Sequence, residues 1–429
     1  MNMKYPRILI FTLYDIFEDN SSVSFTVRSF LEKWPRENII QVLCEDFNSG
    51  QTGQINKNLY RLGHKDIAVA SWLINGTREV KTVMRSQLVK ESAKLPLYRN
   101  LTTSLRRLAT ELYGFLPYRR SFSLDAFIAA AAPDIIYCNT SSPRMYKLSD
   151  RYSKKLKIPF FPHIMDDWPN IIGSSTKFAS PLNYYYKNYL TRLFRRCPAA
   201  FCISKYMCEE YALRYKYNNF FPLMHSVEKH EDDNIGCNED NIRTIIYAGS
   251  LYLERNLTII KLAEAIEQLN VHNIRIVVYA PEKQWEELEK GFASYKTIEY
   301  GGFVSQQELE KVISNTWGLA LIESFDPEML EYTRLSMSTK VPEYLASGKP
   351  ILAIGNEIQG SIRYIKEYNA GYVATDMSEL HQVVKMMIEE KNISKILENA
   401  KDLFEKNHRR DCQQELFLKT VMENINEKQ

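Results

Sequence analysis

The feature that most limits what this chain can fold into is a rhythm. Short apolar runs alternate with helix-spaced apolar patterns, and the series occurs twice, on either side of a polar break. In the first series the strand-like runs are Ile8–Leu13, Ile39–Val42, Ile135–Cys138, Phe160–Met165 and Ala199–Ile203. In the second they are Thr244–Tyr247, Ile274–Tyr279, Thr297–Tyr300, Gly318–Ile322, Pro350–Ile354 and Gly371–Val373. A strand buried on both faces reads as a continuous apolar run, and returning to the start of a parallel neighbour takes a crossover helix. The pattern therefore predicts an α/β protein of two tandem Rossmann-like, doubly wound parallel-sheet domains. The length agrees, since 429 residues exceed what one hydrophobic core usually organises. The polar stretch EKHEDDNIGCNEDN, Glu228 to Asn241, reads as the linker. The expected boundaries are 1–226, a linker over 227–242, a second domain over 243–408, and a last helix within 409–429.

Local signals sharpen this reading. Val23, Val27, Phe30, Leu31 and Trp34 recur at helical spacing behind Asn20, Ser21 and Ser22 as caps, and Pro35 ends the helix. Ser305-Gln306-Gln307-Glu308 has the form of a capping box. Two doubly wound domains in tandem bring the carboxyl ends of their strands to one cleft, where ligands of such folds bind.

Several function classes drop out. Neither half contains GxGxxG or GxxxxGK[ST], which disfavours a dinucleotide dehydrogenase and a P-loop NTPase. There is no D-x-D, so the usual metal-binding signature of single-domain glycosyltransferases is missing. The seven cysteines (Cys44, Cys138, Cys197, Cys202, Cys208, Cys237 and Cys412) include no CxxC pair and fit a reducing compartment better than disulfides or zinc. A formal charge of +3 gives no case for nucleic acid. The apolar run at the start is too short and too soon charged for a signal peptide, and none approaches the roughly 18 residues of a membrane span. A soluble or peripheral protein of the cytoplasm is expected.

The most informative stretch is Ser338-Thr339-Lys340-Val341-Pro342-Glu343-Tyr344-Leu345-Ala346-Ser347-Gly348-Lys349-Pro350. Ser338 and Thr339 precede a short helix, Pro342 sits in its first turn, and Gly348 with Pro350 closes it. A helix start offers unpaired N–H groups and the positive end of a dipole, both suited to phosphate. Lys340 and Glu343 share a face there, supplying a cation for a diphosphate and a carboxylate for ribose hydroxyls. A solvated surface ion pair is the plainer reading; the Ser-Thr start and the Gly-Pro close favour the site.

At this point the sequence resembles the GT-B glycosyltransferases, especially the large, mostly retaining family (group 1, family 4 type) of bacterial capsule and lipopolysaccharide enzymes. Many members read S-T-K-x-x-E-Y-L-A-x-G-K-P, very close to residues 338–350, with the Glu on the donor ribose. Tyr247-Ala248-Gly249-Ser250-Leu251 followed by Arg255 resembles the loop whose basic residue touches the donor phosphates. Gly302-Phe303-Val304-Ser305 resembles the segment that brackets the nucleobase. Asp166-Asp167-Trp168-Pro169 and Phe201–Met207 are also similar to family segments. One position departs: eight residues before Glu343, where the family has a second acid for the donor sugar, stands Leu335. Glu323-Ser324-Phe325 looks like the start of that motif displaced upstream, leaving sugar recognition to Glu323, Ser336 or backbone amides.

The resemblance implies a carboxy-terminal donor domain, an amino-terminal acceptor domain, and a terminal helix that crosses back to the first domain, with Cys412, Leu416, Leu418, Val421 and Met422 as its apolar positions. The expected reaction moves a sugar from a UDP- or GDP-sugar to a hydroxyl of a carbohydrate or lipid-linked acceptor, with retention, in surface polysaccharide or glycolipid synthesis. Arg255, Lys340 and the helix start near Val341 would neutralise the leaving diphosphate in place of a metal, with no cofactor. Asp166, Asp167 and His163 are the candidates for acid–base work in the first domain, His163 being equally readable as a core histidine. Of the adjacent pair only one aspartate should face substrate, the other capping the next turn. Tyr184, Tyr185, Tyr186 and Tyr189 read as a packed amphipathic helix before they read as a sugar platform. The basic stretch 81–120, with Leu101, Leu105, Leu108 and Leu112 at helical spacing, would either lie on the anionic inner face of the plasma membrane or pack on the domain with its charges solvated. Rival functions are a sugar-nucleotide epimerase of the same fold and a non-catalytic glycosyltransferase-like subunit.

Overall fold

The computed structural model describes residues 5–19, 21–44, 52–63, 66, 118–119, 121–140, 143–171, 179–229 and 242–426. Most of the basic stretch 81–120, the cap residue Asn20, Cys237 and the centre of the expected linker lie outside the described residues. The chain divides into two compact units, Met1–His225 with Gln413–Gln429, and Ser226–Cys412.

The first unit is built on an eight-stranded sheet. Its strands are β1 (Ile8–Thr12), β2 (Ile39–Leu43), β3 (Gly53–Asn56), β4 (Leu59–Arg61), β5 (Ile135–Thr140), β6 (Phe160–Ile164), β7 (Ala200–Cys202) and β8 (Phe220–Pro222), ordered β3-β4-β2-β1-β5-β6-β7-β8. Every pairing is parallel except the β3–β4 hairpin. β1, β2 and β6 are buried along their whole length, as continuous apolar runs require. The helix Ser22–Leu31 follows β1 and is capped by Ser21, whose Oγ accepts from the Ser24 amide at 3.3 Å. β3, β4 and β8 are absent from the sequence reading, being only three or four residues long and partly polar.

The helix Arg410–Asn426 supplies the last part of this unit. Gln413, Gln414, Phe417, Leu418, Thr420 and Val421 form its buried face, recurring at three- and four-residue intervals. Phe417, which the sequence reading did not count among the apolar positions, is fully buried. Its ring lies 4.7 Å from Phe30, 5.3 Å from Phe201, 5.7 Å from Trp34 and 5.8 Å from Tyr137. Gln413 and Gln414 extend the contact with bonds to the Met224 amide and the Ser29 carbonyl.

The second unit carries six parallel strands, β9 (Arg243–Ala248), β10 (Ile274–Tyr279), β11 (Ile298–Gly302), β12 (Gly318–Ile322), β13 (Ile351–Ile354) and β14 (Tyr372–Ala374), in the order β11-β10-β9-β12-β13-β14. The order runs outward from β9 on one side and resumes at β12 on the other, so the direction of winding switches between β9 and β12. Loops beyond the carboxyl ends of those two strands diverge to opposite faces and leave a crevice. The capping box forms as expected: Ser305 Oγ accepts from the Glu308 amide, and Glu308 accepts from the Ser305 amide at 2.8 Å. Among the described residues no helix is long and apolar enough to cross a membrane.

Candidate functional site

In the second unit, the sequence-derived residues gather where the sheet's winding switches. β9 ends at Ala248 and hands over to Gly249 and Ser250; β12 ends at Ile322 and hands over to Glu323. Gly249 has φ +148°, a backbone setting that side chains resist. A Cβ there would lie 2.6 Å from Lys340 Cε and closer still to its ammonium. The missing side chain is thus the space that Lys340 occupies. The Lys340 ammonium lies 5.3 Å from the centre of the Tyr247 ring, and that ring is fixed by its hydroxyl donating to the Ser250 carbonyl at 2.6 Å.

The Lys340 ammonium makes no hydrogen bond or ion pair among the described residues. Burial and then the neighbouring Arg255 charge pull its ammonium down to about 8. A cation held at such a cost, with no anion on it, is suited to receiving one from outside the protein.

Arg255 opens the helix Arg255–Gln268 and donates from Nε at 3.0 Å and from Nη2 at 2.7 Å to Glu323 Oε2. Glu323 is 5% exposed, and its carbonyl accepts from Thr258. The acid expected to read the donor sugar is therefore first the partner of Arg255. The other sugar candidate is also engaged, since Ser336 Oγ donates to the Tyr332 carbonyl. Leu335 is buried. Between Glu323 and Leu335 stands a helix, Pro327–Thr333, capped by Asp326. Gln359, fully buried, ties that helix down by donating to the Ser324 carbonyl and the Thr333 hydroxyl.

The short helix Lys340–Ala346 forms as read, with Pro342 in its first turn and Gly348 just beyond it at φ +67°. Thr339 precedes it without a side-chain cap; instead the Lys340 amide donates to Ser338 Oγ, and the Ser338 amide to Ser361 Oγ. Glu343 is buried, and burial pushes its carboxyl up to about 7. Gln306 donates to its Oε1 at 2.7 Å. Gln306 follows directly on Gly302-Phe303-Val304-Ser305, so the bond connects the end of β11 to Glu343. Phe303 is 74% exposed beyond the β11 terminus, a large apolar face open to a ligand.

Three residues of this neighbourhood escaped the sequence reading: Gln284, Gln306 and Gln359. Gln284 Oε1 accepts from the Leu251 amide at 2.7 Å and from Ser250 Oγ, which occupies the Ser250 hydroxyl and sets the loop. Glutamine forms no motif, and nothing in its spacing marks these three.

In the first unit, the catalytic reading of His163 needs correction. His163 lies on β6 with no exposed surface, its Nδ1 2.8 Å from the Tyr137 hydroxyl, and burial pushes it down to about 3. It is a neutral core histidine, too weak a base for acid–base catalysis near neutrality. Asp167, 3% exposed, directly precedes the helix Trp168–Ile171, and its carbonyl accepts from the Asn170 amide at 3.0 Å. Arg214 grips its carboxylate through both guanidinium ends, at 2.6 Å and 3.0 Å, and Tyr211 donates a third bond. That buried pair is structural. Asp166, next to it, is exposed beyond the end of β6. Tyr186 packs against Trp168 while Tyr184 and Tyr185 face out, as an amphipathic helix requires.

Residues 245–425 match the family model described as glucosyltransferase 3-like, C-terminal domain. No curated protein matches the chain. Among solved structures it is similar to sucrose-phosphate synthase from Thermosynechococcus elongatus, with a TM-score of 0.63 and 10% identity over 99% of this chain and 100% of that one. It is similar to an E. coli protein of trehalose-6-phosphate solved bound with UDP-2-fluoro glucose, at 0.61 and 11% over 96% and 98%. WaaG, a glycosyltransferase involved in lipopolysaccharide biosynthesis, gives 0.56 and 12% over 96% and 99%. The fold is that of the GT-B enzymes.

Proposed function

We propose that this chain, a glycosyltransferase of the GT-B fold, carries a sugar from a nucleoside diphosphate donor to a hydroxyl acceptor, holding the donor in its second unit. The observation that carries the reading is Lys340, whose partly buried ammonium has no hydrogen-bonded or ion-paired partner among the described residues and fills the space left by Gly249. The diphosphate is the anion it awaits. Arg255 adds a second charge, Glu343 accepts from the ribose hydroxyls, and Phe303 with Val304 faces the base. As the sugar–phosphate bond breaks, charge builds on the leaving diphosphate, and cations fixed in place beforehand stabilise it.

The acceptor falls to the first unit, where Asp166 is the exposed acid at a strand end. With retention, the departing phosphate takes the acceptor's proton and no protein base is needed; with inversion, Asp166 is the base. Leu335 and the engaged Glu323 leave the donor sugar to be read by other groups, including backbone amides. A uridine diphosphate sugar, with glucose as the first to try, is the donor we propose, supported by the glucosyltransferase description of the matching family and by the UDP-2-fluoro glucose bound in a similar structure. A carbohydrate or lipid-linked acceptor in surface polysaccharide synthesis, met at the inner face of the plasma membrane through the basic stretch 81–120, completes the proposal.

The test is release of uridine diphosphate from UDP-glucose, and of guanosine diphosphate from its sugars, with and without EDTA. Slow donor hydrolysis that survives EDTA is expected, because Arg255 and Lys340 take the role of a metal. Activity lost to EDTA and restored by magnesium or manganese would overturn the metal-independent reading.

A further inference from the structure

Glu343 is a buried carboxylate at the edge of a cationic site, and one bond orients it. Among the described residues, the amide of Gln306 supplies its only hydrogen bond, Nε2 to Oε1 at 2.7 Å. Gln306 is itself placed by the capping box before it, because Ser305 and Glu308 fix the first turn of the helix Gln306–Ser314 from which its side chain projects. An ionised carboxylate only accepts, so the amide must turn its nitrogen toward Glu343.

We propose that Gln306 is a positioning residue for Glu343: its amide holds Oε1 in place and so presents the carboxylate as an acceptor to the ribose hydroxyls of the bound nucleotide. The inference rests on the ribose reading of Glu343 and adds the group that makes it work. Without a donor, a buried carboxylate keeps its proton and turns from acceptor to donor. The charged and titratable groups around Glu343 are Lys340 on its own helix, Glu310 on the helix that carries Gln306, and Tyr344 beside it. Burial raises the carboxyl to about 7, and the Gln306 bond and Lys340 work against that rise while Glu310 adds to it. Losing the amide raises it further; replacing the amide with a cation lowers it.

Calorimetric affinities for uridine diphosphate, guanosine diphosphate and inorganic pyrophosphate, measured on the full chain across about pH 5 to 9, test this. Pyrophosphate has no ribose, so the ratio of nucleoside diphosphate to pyrophosphate affinity largely cancels titration of the phosphates and of Lys340. In the unaltered chain the ratio should fall as pH drops through about 7. Gln306→Leu should move that fall upward by about one pH unit and weaken nucleotide binding roughly tenfold near neutrality, with pyrophosphate unchanged. Gln306→Lys should move it downward, because the side chain at this position faces the carboxylate, and the upward shift in Gln306→Leu is the one that reports the lost amide donor. Glu343→Gln should flatten the profile. If Glu343→Gln flattens it while both Gln306 variants leave the midpoint in place, the positioning role is wrong and the ribose reading stands. If Glu343→Gln changes neither ratio nor profile, the ribose reading fails and takes the positioning role with it.

Discussion

Lys340 and Arg255 both place a positive charge beside the loop after β9, but the fold treats the two charges differently. Arg255 is neutralised by Glu323, whereas Lys340 has no such anion. Lys340→Ala should therefore lower turnover on the order of a hundredfold and leave stability unchanged or slightly raised, since it removes a desolvated charge. Arg255→Ala should lower turnover similarly, but also destabilise the second unit by up to about 3 kcal/mol, because Glu323 stays behind as a buried acid with no cation. Turnover assays and thermal melts on both variants check this; equal stability losses would contradict it. The pH dependence follows from the same residues. Lys340, lowered to about 8, loses its charge above that pH, and Glu343, raised to about 7, loses its own below that pH. Nucleotide affinity should peak between about 7 and 8. Their stability terms have defined signs: the raised Glu343 favours the folded state at low pH and loses that contribution as pH rises through 7. The cost of charged Lys340 is fully present below 8 and lifts only above it. A titration of affinity whose maximum lies outside that window would contradict the assignment.

At the scale of elements, the two most informative helices depend on packing and not on their own propensity. Lys340–Ala346 has only seven residues, fewer than an isolated helix needs, and Val341, Tyr344 and Leu345 anchor it in the core. The terminal helix Arg410–Asn426 is fixed by one aromatic side chain above all. Phe417 stands within ring-contact distance of Phe30, Trp34, Tyr137 and Phe201, residues from one helix, its trailing turn and two strands of the first unit. Phe417→Ala should cost about 3–5 kcal/mol of first-unit stability, because those four rings cannot close over the void together. Chemical denaturation with a first-unit probe, such as Trp34 fluorescence, measures it. A loss below about 1 kcal/mol would mean that the helix contributes little.

For the whole molecule, connectivity decides which part fails when the chain is cut. Residues beyond Gln413 belong to the first unit, while the site with Lys340 and Glu343 lies in the second. A chain ending at Asp411 should lose stability in the first unit and lose sugar transfer, yet still bind nucleotide. Binding at a hundred times the dissociation constant should still stabilise the second unit by roughly 2.7 kcal/mol. A shortened chain that transfers sugar at the full rate would refute this, and one that no longer binds nucleotide would show that the second unit depends on the helix.

The sequence by itself determined the longer elements and the residue types that gather at the candidate site. Burial on both faces forces continuous apolar runs, so the long strands could be read directly, β10 and β12 to the residue. The Ser-Thr-Lys start, Glu343 and the Gly348 close were legible because short-range backbone demands select particular residue types. Tertiary structure alone decided the partners. Lys340 fits against Gly249 from 91 residues away in sequence, and Glu323 meets Arg255 from 68. Gln306 reaches Glu343 from 37, and Phe417 joins an aromatic core that begins with Phe30. His163 and Asp167 looked reactive in sequence, but one is sealed in the core and the other neutralised by Arg214. A side chain's identity limits what it can bond to, whereas its availability depends on what the fold packs around it. That packing is a long-range property which no local pattern encodes.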